Sequence, residues 1–337
     1  MKTITLAVGL LVLVLLCGFA VPNDVVYSEG EASVRYKGGY EEEVFIGDVY
    51  DTGDTITTGY DGFVELDQEG LVLKINPDTV FALQEKEEGG EKTGVFALAL
   101  GSIKFRYDRL TGKEPMIHTS SCVAGVRGTE FSVYAGADGS ALIVVDSGLV
   151  EVESEGRAVQ LGAEEGVEVP LGEPPGEKFA VQRDQIDYSS WNDKKLDSLL
   201  SDPLRTVERL NDRLDYYTEK VREYDALYAE YLEKLEEERR LNEERAQEKG
   251  EDVALRYEKE VIFPMSLRTF NIGLNVRYFA LAALSMRRYV AGRSYLLLKA
   301  QNIANPGIEF DSYRREFVDF LNRFEQTIVP QLVEADI

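Results

Sequence analysis

Cys122-Val123-Ala124-Gly125-Val126-Arg127-Gly128-Thr129-Glu130-Phe131-Ser132-Val133 is the stretch on which the reading of this chain turns. Its apolar residues predict an extended, mostly buried strand with Arg127 set in the middle. A charge in such a run is costly unless it is paired. Glycines at 125 and 128 let another backbone come close. The run is therefore expected to be the centre of an all-β domain. Arg127 is expected to be a buried clamp there, with Asp54 and Glu130 as candidate partners.

Outward from this centre, Val25 to Val169 consists of short β-type runs broken by Gly and Asp. Val25-Val26-Tyr27, Ala32 to Tyr36, Phe63 to Leu66 and Leu71 to Ile75 are strands, the last two joined by a hairpin loop over Asp67 to Gly70. Glu85 to Lys92 reads as a polar, mobile loop. Val95 to Leu100, Ser102 to Tyr107, Thr129 to Tyr134, Ala141 to Val145 and Leu149 to Val152 follow as strands. Many short strands at this spacing predict a sandwich, a roll or a solenoid-like β fold.

Leu171 to Lys178 holds two prolines and two glycines and reads as a linker. Beyond it the period becomes helical. Val207, Leu210, Leu214, Tyr217, Val221, Tyr224, Tyr228, Tyr231 and Leu235 form a heptad stripe. Asp202-Pro203 marks a new helix start. Val253 to Ile303 is a second helical stretch that Pro264 should kink, and its arginines argue against a membrane span. Asn305-Pro306-Gly307 ends it, and the aromatics Phe310, Tyr313, Phe317, Phe320 and Phe324 make a third, amphipathic helix. The expected architecture is α+β: 25–170 a β domain, 171–178 a linker, and 184–337 an antiparallel helical bundle or coiled coil. Bulky tyrosines suit a tight parallel dimer poorly, so the stripe should pair within the chain, with Gly250 near the turn and the tip from Glu236 to Asp252 projecting as an arm.

The chain of 337 residues carries 61 acidic and 37 basic side chains, a net charge of −24. Nucleic acid and anionic membrane surfaces are therefore poor partners. Met1-Lys2-Thr3 precedes an apolar run from Ile4 to Val21, the pattern of a secretory signal, with Gly18 and Ala20 placed for cleavage after Ala20. An uncleaved anchor and lipidation at Cys17 are the alternatives, although Leu16 fits a lipobox poorly. Each places the remainder outside the cytoplasm, touching a membrane only through this segment.

Further blocks join the opening stretch. Gly53-Asp54-Thr55-Ile56-Thr57-Thr58-Gly59-Tyr60-Asp61-Gly62, Leu73 to Thr79 with its Pro77-x-Thr79 turn, Leu100-Gly101-Ser102-Ile103, and Val126-Arg127-Gly128-Thr129 followed by Phe131 stand in order. Together they resemble the signature of the FecR domain family over about Val25 to Val169. The resemblance implies an exported binding or signalling module. Its signature residues (Gly53, Asp54, Thr58, Gly59, Gly62, Pro77, Thr79, Val126, Arg127, Gly128, Thr129 and Phe131) are structural, and it carries over no catalytic residue, cofactor or metal. Ser120 and Cys122 stand where Pro and Ala are common. Sigma-controlling members carry a cytoplasmic segment ahead of the apolar run; only Met1 to Thr3 precede it here, so sigma-factor signalling is not implied.

Sharper chemistry is weighed against plain roles. Asp48, Asp51 and Asp54, near Asp61, offer carboxylates for calcium but at turn positions where Asp bonds nearby backbone. His118 and Cys122, four apart in an expected strand, would share a face as a nucleophilic pair, yet free Cys is often simply buried. The heptad tyrosines suit a helix seam better than a glycan or peptide groove. The function expected is a non-catalytic envelope binding or scaffold module, the β domain engaging a protein or glycan and the helical arm another protein or a second copy. The alternatives are an enzyme acting on envelope polymers and a surface-signalling regulator working through another protein.

Overall fold

The computed structural model describes residues 23–127, 130–181, 185–304, 306 and 310–334. The apolar run with Cys17, Gly18 and Ala20, the signature residues Gly128 and Thr129, and the helical boundary at residue 184 lie outside the described residues. An N-terminal β half precedes a C-terminal helical half, the α+β layout.

Two sheets form a sandwich. The first runs β4 (Val49–Tyr50), β1 (Asn23–Glu29), β6 (Phe63–Gln68), β7 (Leu71–Ile75), β9 (Glu91–Tyr107), β12 (Glu130–Ala135), β13 (Ala141–Ser147), β16 (Glu165–Val169), β17 (Phe179–Ala180). The second runs β3 (Glu41–Glu43), β2 (Ala32–Arg35), β5 (Thr55–Thr58), β8 (Val80–Glu88), β9, β10 (Met116–His118), β11 (Val123–Val126), β14 (Val150–Ser154), β15 (Arg157–Leu161). All neighbours are antiparallel except β9 with β10. The long strand β9 belongs to both sheets and bends at Gly101, whose φ of 95° is open to glycine. A Cβ there would sit 2.2 Å from Thr79 Oγ1.

Alternation in β2, β5, β6 and β12 places one face inward. Val34, Ile56, Leu66, Phe105, Phe131 and Val152 meet between the sheets. Strands β9 and β13 are buried on both faces, because helices or the segment after β17 cover their outer sides.

Two expectations are corrected here. Val123 to Val133 is not one strand. The chain leaves the second sheet after Val126 and enters the first at Glu130, so Arg127 stands at a crossover with its side chain exposed. Its backbone N–H donates to Leu149 O at 2.8 Å, and Glu130 pairs with Lys104 at 3.2 Å. Gly125 pairs with Glu151 inside β11, and the change of sheet follows at Arg127. Likewise, 85–92 is not a loop. It forms the ends of the β8–β9 hairpin, which turns at Gly89 and Gly90, both at positive φ.

The helical half comprises α1 (Tyr188–Ser201), α2 (Pro203–Lys249), α3 (Glu251–Tyr257), α4 (Phe263–Ser285), α5 (Gly292–Ala304), α6 (Phe310–Thr327) and α7 (Val329–Glu334). Asp202 caps α2 by accepting from Arg205 N, with Pro203 at its first turn. Gly250, at φ 94°, turns the chain, and 251–304 runs back along α2 as one helical rod. Wider π-helical turns at Glu258–Ile262 and Met286–Ala291 interrupt the rod. The first lies directly before Pro264, which has no N–H to give the helix. From the stripe, Val207, Leu210, Leu214, Tyr217 and Val221 are buried with Val276, Ala280, Met286, Tyr313, Phe320 and Phe324. No helix among the described residues is long and apolar enough to cross a membrane.

Candidate functional site

The helical rod lies on the outer face of the second sheet. Ala82, Ala97 and Ala99 on that face and Leu281, Leu284 and Tyr289 on the rod line a small cavity of about 60 Å³ between them. Asn275 Oδ1 accepts from Glu87 N at 2.8 Å, and its Nδ2 donates to Glu87 Oε2 at 2.9 Å. Asn271 donates to Gly90 O at 3.1 Å. Arg35 donates to Tyr289 Oη at 3.0 Å. The Pro/Gly stretch is fastened too: Ser154 Oγ donates to Glu173 O at 2.8 Å, and Glu173 pairs with Arg205 and Arg209. These polar fastenings position two places where chemistry concentrates.

The first is closed. His118 ends β10 facing the helices, its ring 5.3 Å from Tyr278 and 6.5 Å from Tyr217. Arg213 lies beside them, 7% exposed, stacked 4.6 Å from Tyr216 and 5.1 Å from Tyr217 and bonded to Glu155 at 3.1 Å. Burial pushes the His118 imidazole down to about 3, helped by the charges of Arg213 and Lys86. Cys122 does not share its face. A turn over 119–122 separates them, and Cys122 packs inside the sandwich, its thiol pushed up to about 11 by burial. The turn separates the two groups: His118 is neutral, the thiol is protonated, they project to opposite sides of the sheet, and Cys122 is a buried core residue.

The second is open. A cavity of about 410 Å³ lies where the turn at Thr52 and Gly53, strand β8 and helices α2 and α4 converge. Leu83, Leu274, Val276 and Leu281 give it an apolar floor, and Tyr228 and Phe270 supply rings. Gly273 makes the room: a Cβ there would stand 3.2 Å from the Tyr228 ring. Gln84 lines it at 8% exposure, and its Oε1 accepts no hydrogen bond among the described residues. The charged lining is Lys37, Lys92, Arg277, Glu85 and Asp225; Lys92 and Glu85 neutralise each other at 2.6 Å. Burial pulls the half-buried Arg277 guanidinium below its ordinary value. An apolar floor, aromatic sides and a few charged groups are the lining common to small-ligand pockets.

Among the described signature residues, only Gly53 lines this cavity. Several of the rest tie strands and turns together. Asp54 Oδ1 and Oδ2 accept from Lys37 N at 3.1 Å and Asp51 N at 2.9 Å. Thr58 Oγ1 donates to Asn76 O at 2.7 Å and accepts from Thr79 N at 2.9 Å. Gly59 N donates to Glu31 O at 2.7 Å, and a Cβ on Gly62 would collide with that same oxygen at 2.0 Å. Thr79 Oγ1 donates to Pro77 O at 3.2 Å. Phe131 stacks on Phe105 at 5.0 Å, and Val126 packs on the sandwich core. Asp48 accepts from Phe45 N at 2.8 Å and Tyr50 Oη at 3.0 Å, so these carboxylates are engaged in turn chemistry. Gln84, Phe270, Gly273 and Arg277 carried no sequence signal of a site, because they come from elements far apart in the chain; Tyr228 stood in the heptad stripe, whose tyrosines read as a seam before a groove.

Residues 54–151, which lie within the β half, match the model of the FecR protein family. No curated protein matches the chain. Two crystal structures of a candidate anti-sigma factor from Parabacteroides distasonis ATCC 8503 are similar to part of it. One is 21% identical with a TM-score of 0.34, over 41% of this chain and 63% of that one. The other is 22% identical with a TM-score of 0.32, over 38% and 60%. The chain thus spans less than two thirds of either.

Proposed function

We propose that this FecR-domain protein is a non-catalytic, extracytoplasmic binding module that engages an envelope protein or glycan and passes that contact on through its helical half. The cavity between β8 and α4 carries the reading, since a ligand held there touches both halves at once. A regulator needs such a place, where occupancy on one unit alters the packing of another. The alternative of an enzyme acting on envelope polymers finds no help from histidine or thiol chemistry among the described residues: His118 is buried and neutral, and the buried Cys122 thiol is protonated.

The hairpin of α2 and α3 beyond the bundle is the surface for a second protein or a second copy. Its faces are mixed in charge, with Arg240 on Glu244 at 2.8 Å and Tyr257 on Glu238 at 2.8 Å. The test is crosslinking of the full-length protein in intact cells, with fractionation and mass spectrometry, beside light scattering of the purified protein. A reproducible envelope protein or glycan adduct outside the cytoplasm is expected. Cytoplasmic fractionation, or turnover of peptidoglycan or a common ester or glycoside that one substitution abolishes, refutes the reading.

A further inference from the structure

We infer that the cavity between β8 and α4 is a receptor for a short peptide carboxylate, a di- or tripeptide segment with apolar side chains and a free C-terminal carboxyl group. The inference rests on the binding-module reading and names its ligand.

Size comes first. At about 410 Å³ the cavity falls within the roughly 300–1,000 Å³ of small-ligand sites. Its floor is aliphatic and its sides are aromatic, with Phe270 59% exposed. A hydroxyl-rich sugar would leave much of that apolar lining unmatched, whereas side chains of a peptide cover it.

Charge comes next. The protein carries a net charge of −24, yet this lining runs the other way. Lys37, Lys92 and Arg277 outnumber Glu85 and Asp225 in the lining; Lys92 pairs with Glu85, whose charge also reaches Arg277. Arg277 has no ion pair among the described residues. A half-buried planar guanidinium with no carboxylate in direct contact is complementary to a ligand carboxylate, which it grips with two parallel hydrogen bonds. In an acidic protein such a position is selective as well as attractive, because the surrounding field turns away anions that cannot reach the fork.

Hydrogen bonding supplies the third point. Gln84 is buried, and its Oε1 is unmatched among the described residues. An acceptor in that state costs free energy that a ligand donor recovers. A peptide N–H beside the carboxylate is such a donor, and the Gln84 amide can in turn donate to a peptide carbonyl. Gly273 lets the Tyr228 ring settle against α4, where a Cβ would stand 3.2 Å from it, so the ring forms a flat wall of the cavity.

The experiment uses the full-length protein and a randomised library of N-acetylated tripeptides, in free-acid and C-terminally amidated forms, with N-acetylmuramic acid as a third probe. Bound species are identified by equilibrium dialysis and mass spectrometry, and the best are titrated calorimetrically. Apolar free acids should bind, and amidation should weaken them at least ten-fold. Arg277→Met should cause a similar loss, and Phe270→Ala, at an exposed position, a smaller one. Arg127→Ala, remote from the cavity, should change nothing. Equal binding of acid and amide overturns the proposal, as does binding of N-acetylmuramic acid without any peptide, or no binding by any probe. An envelope crosslink that survives Arg277→Met while no tripeptide binds would sink this ligand assignment and leave the binding-module reading standing.

Discussion

The interior of the sandwich and the seam between its second sheet and the helices are both buried, but from different side chains. Inside, aliphatic and aromatic residues meet almost without polar company: Phe105 stacks on Phe131, and Phe96 on Phe105. At the seam, His118, Arg213, Gln84 and Asn275 are buried among tyrosines and alanines. Interior packing is non-directional and rewards any well-shaped apolar residue. The seam is directional: each polar group needs one partner in one place. A dry core sets the fold, and a polar seam sets the position of the helices upon it. The unfilled cavity belongs to the seam because directional contacts leave gaps that apolar packing closes.

Substitutions that separate these roles should differ in size and kind. Phe131→Ala empties a fully buried, doubly stacked position. It should cost about 3–5 kcal/mol and lower the thermal midpoint of the whole protein. A smaller loss in chemical denaturation would mean the interior is less tightly packed than the stacking implies.

The seam should respond to pH where the interior does not. The buried His118 imidazole sits near 3 against an ordinary value of 6.5. The unfolded chain therefore takes up a proton as pH falls below about 6.5, while the folded one stays neutral until near 3. Stability should fall with falling pH through that window, by about 2–3 kcal/mol between pH 7 and 4.5. His118→Phe keeps a ring against Tyr217 and Tyr278 and should flatten that part of the dependence in denaturation curves recorded across the range. Identical slopes for variant and parent would mean that His118 is solvated.

A third substitution loosens the seam alone. Asn275→Ala removes two hydrogen bonds to Glu87 and leaves its backbone N–H unmatched. The cost should be about 1–2 kcal/mol. Hydrogen exchange should quicken over 85–92 and along α4 while the β6, β7 and β12 amides stay protected. Uniform quickening would make seam and interior one cooperative unit. Smallest of all, Arg127→Ala should alter stability by no more than about 0.5 kcal/mol, since the side chain is exposed. A thermal midpoint lowered as far as that of Phe131→Ala would restore Arg127 as a buried clamp.

Local pattern made much of this architecture legible. Alternation in Phe63 to Leu66, the 3-4 stripe from Val207 to Leu235 and the Phe310 to Phe324 face each report a single element's inward side. Asp202-Pro203 and Gly250 mark helix ends by their own backbone preferences. The family signature was readable for the same reason: each of its blocks is contiguous. Arg127 misled because glycine-flanked apolar runs look alike whether they continue one strand or cross to another sheet. The 85–92 segment misled because its charges are those of a solvated loop, while Asn271 and Asn275, about 180 residues later, hold it as a hairpin.

By itself the sequence determined most of the elements and their inward faces, the order of β half and helical half, and the FecR resemblance of the β half. These depend on backbone preference and hydrophobic period, which act over a few neighbouring residues. Only the tertiary structure decided the crossover at Arg127, the opposed facing of His118 and Cys122, the laying of the rod on the second sheet, and the cavity joining Gly53, Gln84, Tyr228 and Arg277. Each is a meeting of residues far apart in the chain, governed by shape and partner geometry, and no local period encodes which distant surfaces will fit.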